Sequence, residues 1–150
     1  MSKLALCRAP LLAFAVSLAL TGSSVAALAA MQSPQQVMNA LATFPRVVLH
    51  TQILIDAKNY TRLPHENGEI KEGSEALTKS IAGEPGTFKA KIEPLLQKVD
   101  ADSQSVADAA NAHDDGKLAT THAALAVSVK ALLASFPDSV QQPPPKPPKN

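Results

Sequence analysis

The sequence predicts an all-α fold, an antiparallel up-down-up-down four-helix bundle, on three observations. Apolar residues recur at alternating three- and four-residue steps through several long stretches. The stretches are separated by short connections rich in Gly, Pro, Asn and Asp. No stretch alternates apolar and polar residues like a half-buried strand. The β-branched run at 47–49 and 53–55 is interrupted on a helical period and has no partner strand.

In chain order, residues 1–29 read as a secretory signal peptide. Lys3 and Arg8 precede the apolar run 11–20, and the small residues Ala27, Leu28 and Ala29 form an A-x-A cleavage site. The run is shorter than the roughly 20 apolar residues that a spanning helix needs, and Thr21 to Ser24 follow it in place of a basic stop-transfer cluster. Cleavage is expected after Ala29, with Ala27 and Ala30 as alternatives. Cys7, the single cysteine, lies in the charged region and not at the cleavage point, which argues against a lipid-anchored form.

The bundle itself is assigned to residues 30–136. Ser33 and Pro34 read as an N-cap and first helical residue opening a helix on Val37, Leu41, Phe44 and Val48. Pro45 either kinks or restarts it, with 47–60 as its main body. Residues 63–68, with Pro64 and Asn67-Gly68, read as a loop. A second helix is expected over about 69–82 on Ile70, Ser74, Leu77 and Ile81, with Glu66, Glu69, Glu72, Glu75, Lys71 and Lys79 as a solvated region. The third, about 87–111, carries Phe88, Ile92, Leu95, Val99, Val106 and Ala109, with Asp102 as a polar interruption of the seam and Pro94 in its second turn. After a tight connection at His113 to Gly116, the last helix, 116–136, has its seam on Leu118, His122, Leu125, Val129, Leu132 and Phe136. Residues 137–150, ending in Pro143-Pro144-Pro145-Lys146-Pro147-Pro148-Lys149, read as a disordered polyproline II tail.

Once the signal is removed the chain has no cysteine, which excludes thiol catalysis, Cys-zinc sites and covalent c-type haem. Removing Lys3 and Arg8 leaves 12 basic residues against 13 acidic ones, a net charge of −1, so no electrostatic case exists for nucleic acid or an anionic membrane. No nucleophile elbow, phosphate loop or paired catalytic carboxylates occur, and with one Tyr, four Phe and no Trp the chain cannot form an aromatic stacking platform.

From Phe88 onward the chain resembles the class II cytochromes, the cytochrome c prime family and its haem-b relatives. In that family a long third helix leads through an alanine-rich stretch and an Asp/Gly turn to a final helix ending in a pattern like S-C-x-x-C-H-x-x-[FY]. Here Ser128-Val129-Lys130-Ala131-Leu132-Leu133-Ala134-Ser135-Phe136 falls on that pattern. The resemblance puts Val129 and Leu132 where the haem-bearing cysteines stand, and Leu133 where the axial histidine stands. It therefore implies a bundle that has lost its covalent haem and filled the space with aliphatic side chains. A non-covalent haem as in the haem-b relatives would want a methionine in the first helix, which Met38 could supply, and a histidine near the end of the last, which Leu133 removes.

Four histidines remain. Antiparallel geometry puts His50, His65, His113 and His122 in one half of the bundle. At about 1.5 Å per residue, His122 lies near the level of Leu49 and His50 if Leu133 lies near Met38. His50 and His122 could then face each other, with His113, Asp114 or Asp102 nearby, as a transition-metal or non-covalent haem site. The alternative is a hydrogen-bonded seam residue at His122 and solvated histidines elsewhere; no HExxH or i, i+4 pair supports a metal. The expected protein is thus non-enzymatic and exported to the periplasm or beyond, with no cofactor and no stable membrane insertion, binding an unknown protein or small ligand. Homodimerisation is compatible with this reading. The alternatives are a haem- or metal-binding electron-transfer bundle using histidines and a periplasmic stress or chaperone-like protein. N-terminal sequencing of the exported protein is expected to begin near Ala30; Met1 recovered from a cytoplasmic fraction would contradict the signal assignment.

Overall fold

The computed structural model describes residues 34–141. Those residues form four long helices, α1 (Pro34–Asp56), α2 (Leu63–Ser80), α3 (Gly86–Asn111) and α4 (Asp115–Ala134). A 3₁₀ turn, Tyr60–Arg62, joins α1 to α2, and a second, Asp138–Val140, follows α4. No strand occurs among the described residues. The signal segment, Ser33 and the polyproline run lie outside them.

Successive helices are antiparallel. Arg46 and His50 on α1 meet Glu69 and Glu66 on α2, and Asn67 and Ser74 on α2 meet Gln104 and Asp100 on α3. Phe88 near the start of α3 stacks edge-on against Phe136 just past α4, with ring centroids 5.6 Å apart. His122 on α4 reaches Val48 on α1, which closes the ring of helices. One apolar core runs through the middle, including Val37, Leu41, Phe44 and Val47 of α1, Ile70 and Leu77 of α2, and Leu118, Leu125, Val129 and Leu132 of α4. Gly73 lets α1 and α2 approach closely, since a Cβ there would stand 3.1 Å from Thr43 Cγ2.

The last two helices follow the expected boundaries within about two residues, with their seams shifted slightly. In α3 the buried series is Ile92, Leu96, Val99, Ser103, Val106 and Ala110, whereas Leu95 is half-buried at its edge. Ser103, not Asp102, is therefore the polar residue in the seam. Asp102 turns aside to pair with Lys98 at 3.0 Å. In α4, Phe136 is buried but lies beyond the helix, which ends at Ala134.

The α1–α2 hairpin departs further from expectation. Pro45 sits inside an unbroken α1, and the helix stops at Asp56 and not at Tyr60. The supposed loop 63–68 is the first turn and a half of α2. Pro64 stands in the first turn, where its missing N–H has no intrahelical partner to lose. Asn67 and Gly68 stay helical because Leu63, Glu66 and Asn67 are buried there, and Asn67 Nδ2 donates to Gln104 Oε1 at 2.9 Å. That burial overrides the roughly 1 kcal/mol penalty of Gly68. Val140 is also buried, so the packed body continues into the stretch assigned to the tail.

The two turns at the histidine-bearing end use one device. Lys58 and His113 both adopt left-handed backbone, at φ 53° and 52°. Behind them Asn59 N donates to Leu54 O and Asp114 N to Ala109 O, which makes Schellman-type helix ends. A side chain in this conformation costs about 1–2 kcal/mol. Contacts across the two turns offset it: Tyr60 packs edge-on against His113 at 5.4 Å, its hydroxyl donates to the Asp115 carboxylate, and Lys58 Nζ lies 3.5 Å from Asp115. Asp114 caps α4, accepting from Lys117 N at 2.9 Å.

Leu125 and Leu132 are 1% and 0% exposed, so either one replaced by Ala is expected to cost about 2–5 kcal/mol in chemical denaturation. A loss below about 1 kcal/mol at both positions would contradict the seam described here.

Candidate functional site

The side chains that resemblance marks as vacated haem positions divide between core and surface. Leu132 is fully buried, Val129 is 4% exposed, and Leu133 is half-buried against the edge of the core. None offers a sulfur or a ring nitrogen, so these residues do not fit covalent haem. Val129 and Leu133 instead help wall an open groove between α1 and α4.

That groove has a volume of about 360 Å³. Pro45, Val48, Leu49 and Gln52 line it from α1, and His122, Ala126, Val129, Lys130 and Leu133 from α4. Its walls are almost wholly apolar for a simple reason. Apart from His122 and Lys130 the α4 residues on it, Ala126, Val129 and Leu133, are aliphatic, and the i, i+3, i+4, i+7 series from Pro45 to Gln52 presents three apolar side chains opposite them. Leu49 remains 36% exposed, with Ile53 at 42% on the same helix and Val127 at 67% on α4. These are the exposed large hydrophobic residues among those described. The first and last helices are also the most loosely packed of the neighbouring pairs.

His122 sits in this groove. Its Nε2 lies 3.0 Å from the Val48 carbonyl, which can only accept, so Nε2 carries the proton and donates. It stands at the level expected for it, beside Val48, but it does not face His50. His50 turns to α2, placing Nδ1 2.9 Å from Glu66 Oε1. His65 is exposed and lies 3.5 Å from Glu69, and His113 packs against Tyr60. The proposed metal residues His50, His122 and His113 thus have three different neighbours, with Asp114 engaged as a cap and Asp102 on Lys98. Among the described residues no group of three or more His, Cys, Asp or Glu side chains is placed to hold a metal ion.

The polar chemistry lies on the opposite side of the bundle. Glu66, expected to be solvated, is only 2% exposed, and its Oε2 has no hydrogen-bond partner. Its burial was legible only by starting α2 at Leu63, which puts Leu63, Glu66, Asn67, Ile70, Ser74 and Leu77 on one face. Between α2 and α3 a hollow of about 560 Å³ is lined by Lys71, Ser74, Asp100 and Leu96 among others. Burial pushes the Asp100 carboxyl above its ordinary value, opposed by the hydroxyl of Ser74, which donates at 2.7 Å, and by the charge of Lys71. At the turn end, the Tyr60 hydrogen bond lowers the pKa of Asp115, and Asp115 in turn raises that of Tyr60.

Removing the imidazole that faces Glu66 strands a buried carboxylate. His50→Ala is expected to cost about 1–3 kcal/mol by denaturant titration. Adding Glu66→Leu should restore most of that loss, because a buried pair replaced by apolar packing is close to neutral. A single variant as stable as the parent would show that His50 does not support Glu66.

The chain matches no protein-family model, no curated protein and no solved structure. The likeness to class II cytochromes accordingly rests on the α4 pattern from Ser128 to Phe136 and the lead into it.

Proposed function

We propose that this is an exported, non-enzymatic helical-bundle protein that binds a small apolar ligand along the groove between α1 and α4. One observation carries the reading: the trough between α1 and α4 has almost wholly apolar walls and is bordered by exposed Leu49, whereas the α1–α2 and α2–α3 seams are bridged by ion pairs and hydrogen bonds. Apolar walls with a few polar groups at their margins suit recognition of small hydrophobic molecules. Nothing along the trough supplies an activated nucleophile or an acid–base pair, which favours binding over catalysis. Export rests on the signal-like segment, and no helix among the described residues is long and apolar enough to cross a membrane.

The resemblance of 128–136 to the class II cytochrome pattern points to the same location. Two of the three vacated haem positions, Val129 and Leu133, wall the groove beside His122. In this reading a cofactor-bearing bundle has kept an opening near its former site and uses it for a ligand it does not hold covalently.

The neutral fluorophore N-phenyl-1-naphthylamine tests the proposal. Its emission should rise saturably at one site per chain. Ala126→Phe, which fills the groove, should abolish the rise in a variant that stays helical by circular dichroism. Equal binding by the folded variant and the parent would contradict the groove as the site.

A further inference from the structure

We infer that the ligand is an anionic amphiphile, a carboxylate on a medium-length hydrocarbon chain, lying along the groove with its headgroup at Lys130. The inference rests on the groove being a binding site and adds the chemistry of its occupant.

Lys130 is the only formally charged residue on the groove wall, and it makes no ion pair among the described residues. Arg46, the cation on the facing stretch of α1, is already engaged by Glu69 of α2 at 2.8 Å. The opposite end has the opposite sign: Gln52 Nε2 donates to the Asp56 carboxylate at 2.7 Å. The His122–Val48 contact fixes the relative heights. Lys130 lies eight residues beyond His122 on α4, and Asp56 eight residues beyond Val48 on the antiparallel α1. At 1.5 Å per residue the two charges stand about 12 Å from the contact in opposite directions. The trough between Lys130 and Gln52 is thus about 18 Å long, positive at one end and bordered by a carboxylate past the other. An anionic head belongs at Lys130, with its tail running over Val48 and Ala126 toward His122.

Size favours a small amphiphile over a protein. Nine residues line the groove, whereas a stable protein interface engages about 20–30 on each side. A cationic amphiphile would put its charge beside Lys130 or push it past the apolar walls to Asp56.

The test compares dodecanoate, dodecanol and dodecyltrimethylammonium below their micellar concentrations, by calorimetric titration of the full exported chain. Dodecanoate should bind more tightly than dodecyltrimethylammonium. Lys130→Gln should weaken dodecanoate about two- to fivefold, the range of an exposed ion pair, and leave dodecanol unchanged. Leu49→Gln, at a surface position that tolerates polarity, should weaken dodecanoate and dodecanol alike. If Lys130→Gln leaves dodecanoate binding intact while Leu49→Gln weakens both ligands, the anionic preference is overturned and the groove stands. If neither ligand binds, or Leu49→Gln affects neither, the groove itself is overturned. A chain that sediments as a dimer and binds no amphiphile would assign the surface to a second copy.

Discussion

The hydrogen bond from His122 Nε2 to the Val48 carbonyl is the one polar contact between α1 and α4 among the described residues, and it sets the height at which the bundle closes. Register between α1 and α2 and between α2 and α3 is fixed repeatedly by polar contacts, while α3 and α4 meet through apolar packing and the Phe88–Phe136 stack. Arg46–Glu69 and His50–Glu66 lock α1 to α2, while Asn67–Gln104 and Ser74–Asp100 lock α2 to α3. Between α1 and α4 aliphatic side chains meet aliphatic side chains, and such surfaces slide at little cost because burial is non-directional. A single directional bond therefore decides which residues of the two helices stand opposite one another. With Val48 tied to His122, helix rise puts Pro45 about level with Leu125, and the groove runs from Gln52 toward Leu133.

Polar and apolar seams have different mechanical consequences. A seam held by buried or half-buried polar contacts resists opening, since separation would leave Glu66 or Asp100 without a partner in a poorly solvated place. The α1–α4 seam has no such penalty beyond its one hydrogen bond. Leu49 at its border is already partly in water, so covering it with a ligand regains apolar burial at about 25 cal/mol per Å². α4 contributes on both sides: its inner seam completes the core, while Ala126, Val127 and Leu133 keep the adjoining surface nearly free of charge. The crossed contacts of Tyr60, His113 and Asp115 hold the two turns together at one end and so anchor the start of α4.

Much of this architecture was legible from residue spacing. The seam of α4 and the short turn at His113 are strong local signals, and helix rise alone put His122 beside the middle of α1. The failures have physical causes. Pro64 and Asn67-Gly68 look like a turn locally, and only the tertiary burial of Leu63, Glu66 and Asn67 keeps them helical. In α3, Leu95 and Leu96 both satisfy a three- or four-residue step from Ile92, and the choice between them moves the polar seam position from Asp102 to Ser103. The groove was not foreseen because it reflects the spacing between two helices, which periodicity within each does not report. The facing of His50 toward Glu66 was hidden for the same reason, since the rotation of α1 is set by its contacts with α2.

Methyl-resolved NMR during titration with dodecanoate tests the central claim, that the closing seam of the bundle is its binding surface. Shift changes are expected to concentrate at the methyls of Val48, Leu49, Val129 and Leu133, with intermolecular NOEs from the alkyl chain to the His122 ring. Changes concentrated instead at Leu77 and Leu96, on the α2–α3 side, with His122 unaffected, would contradict it.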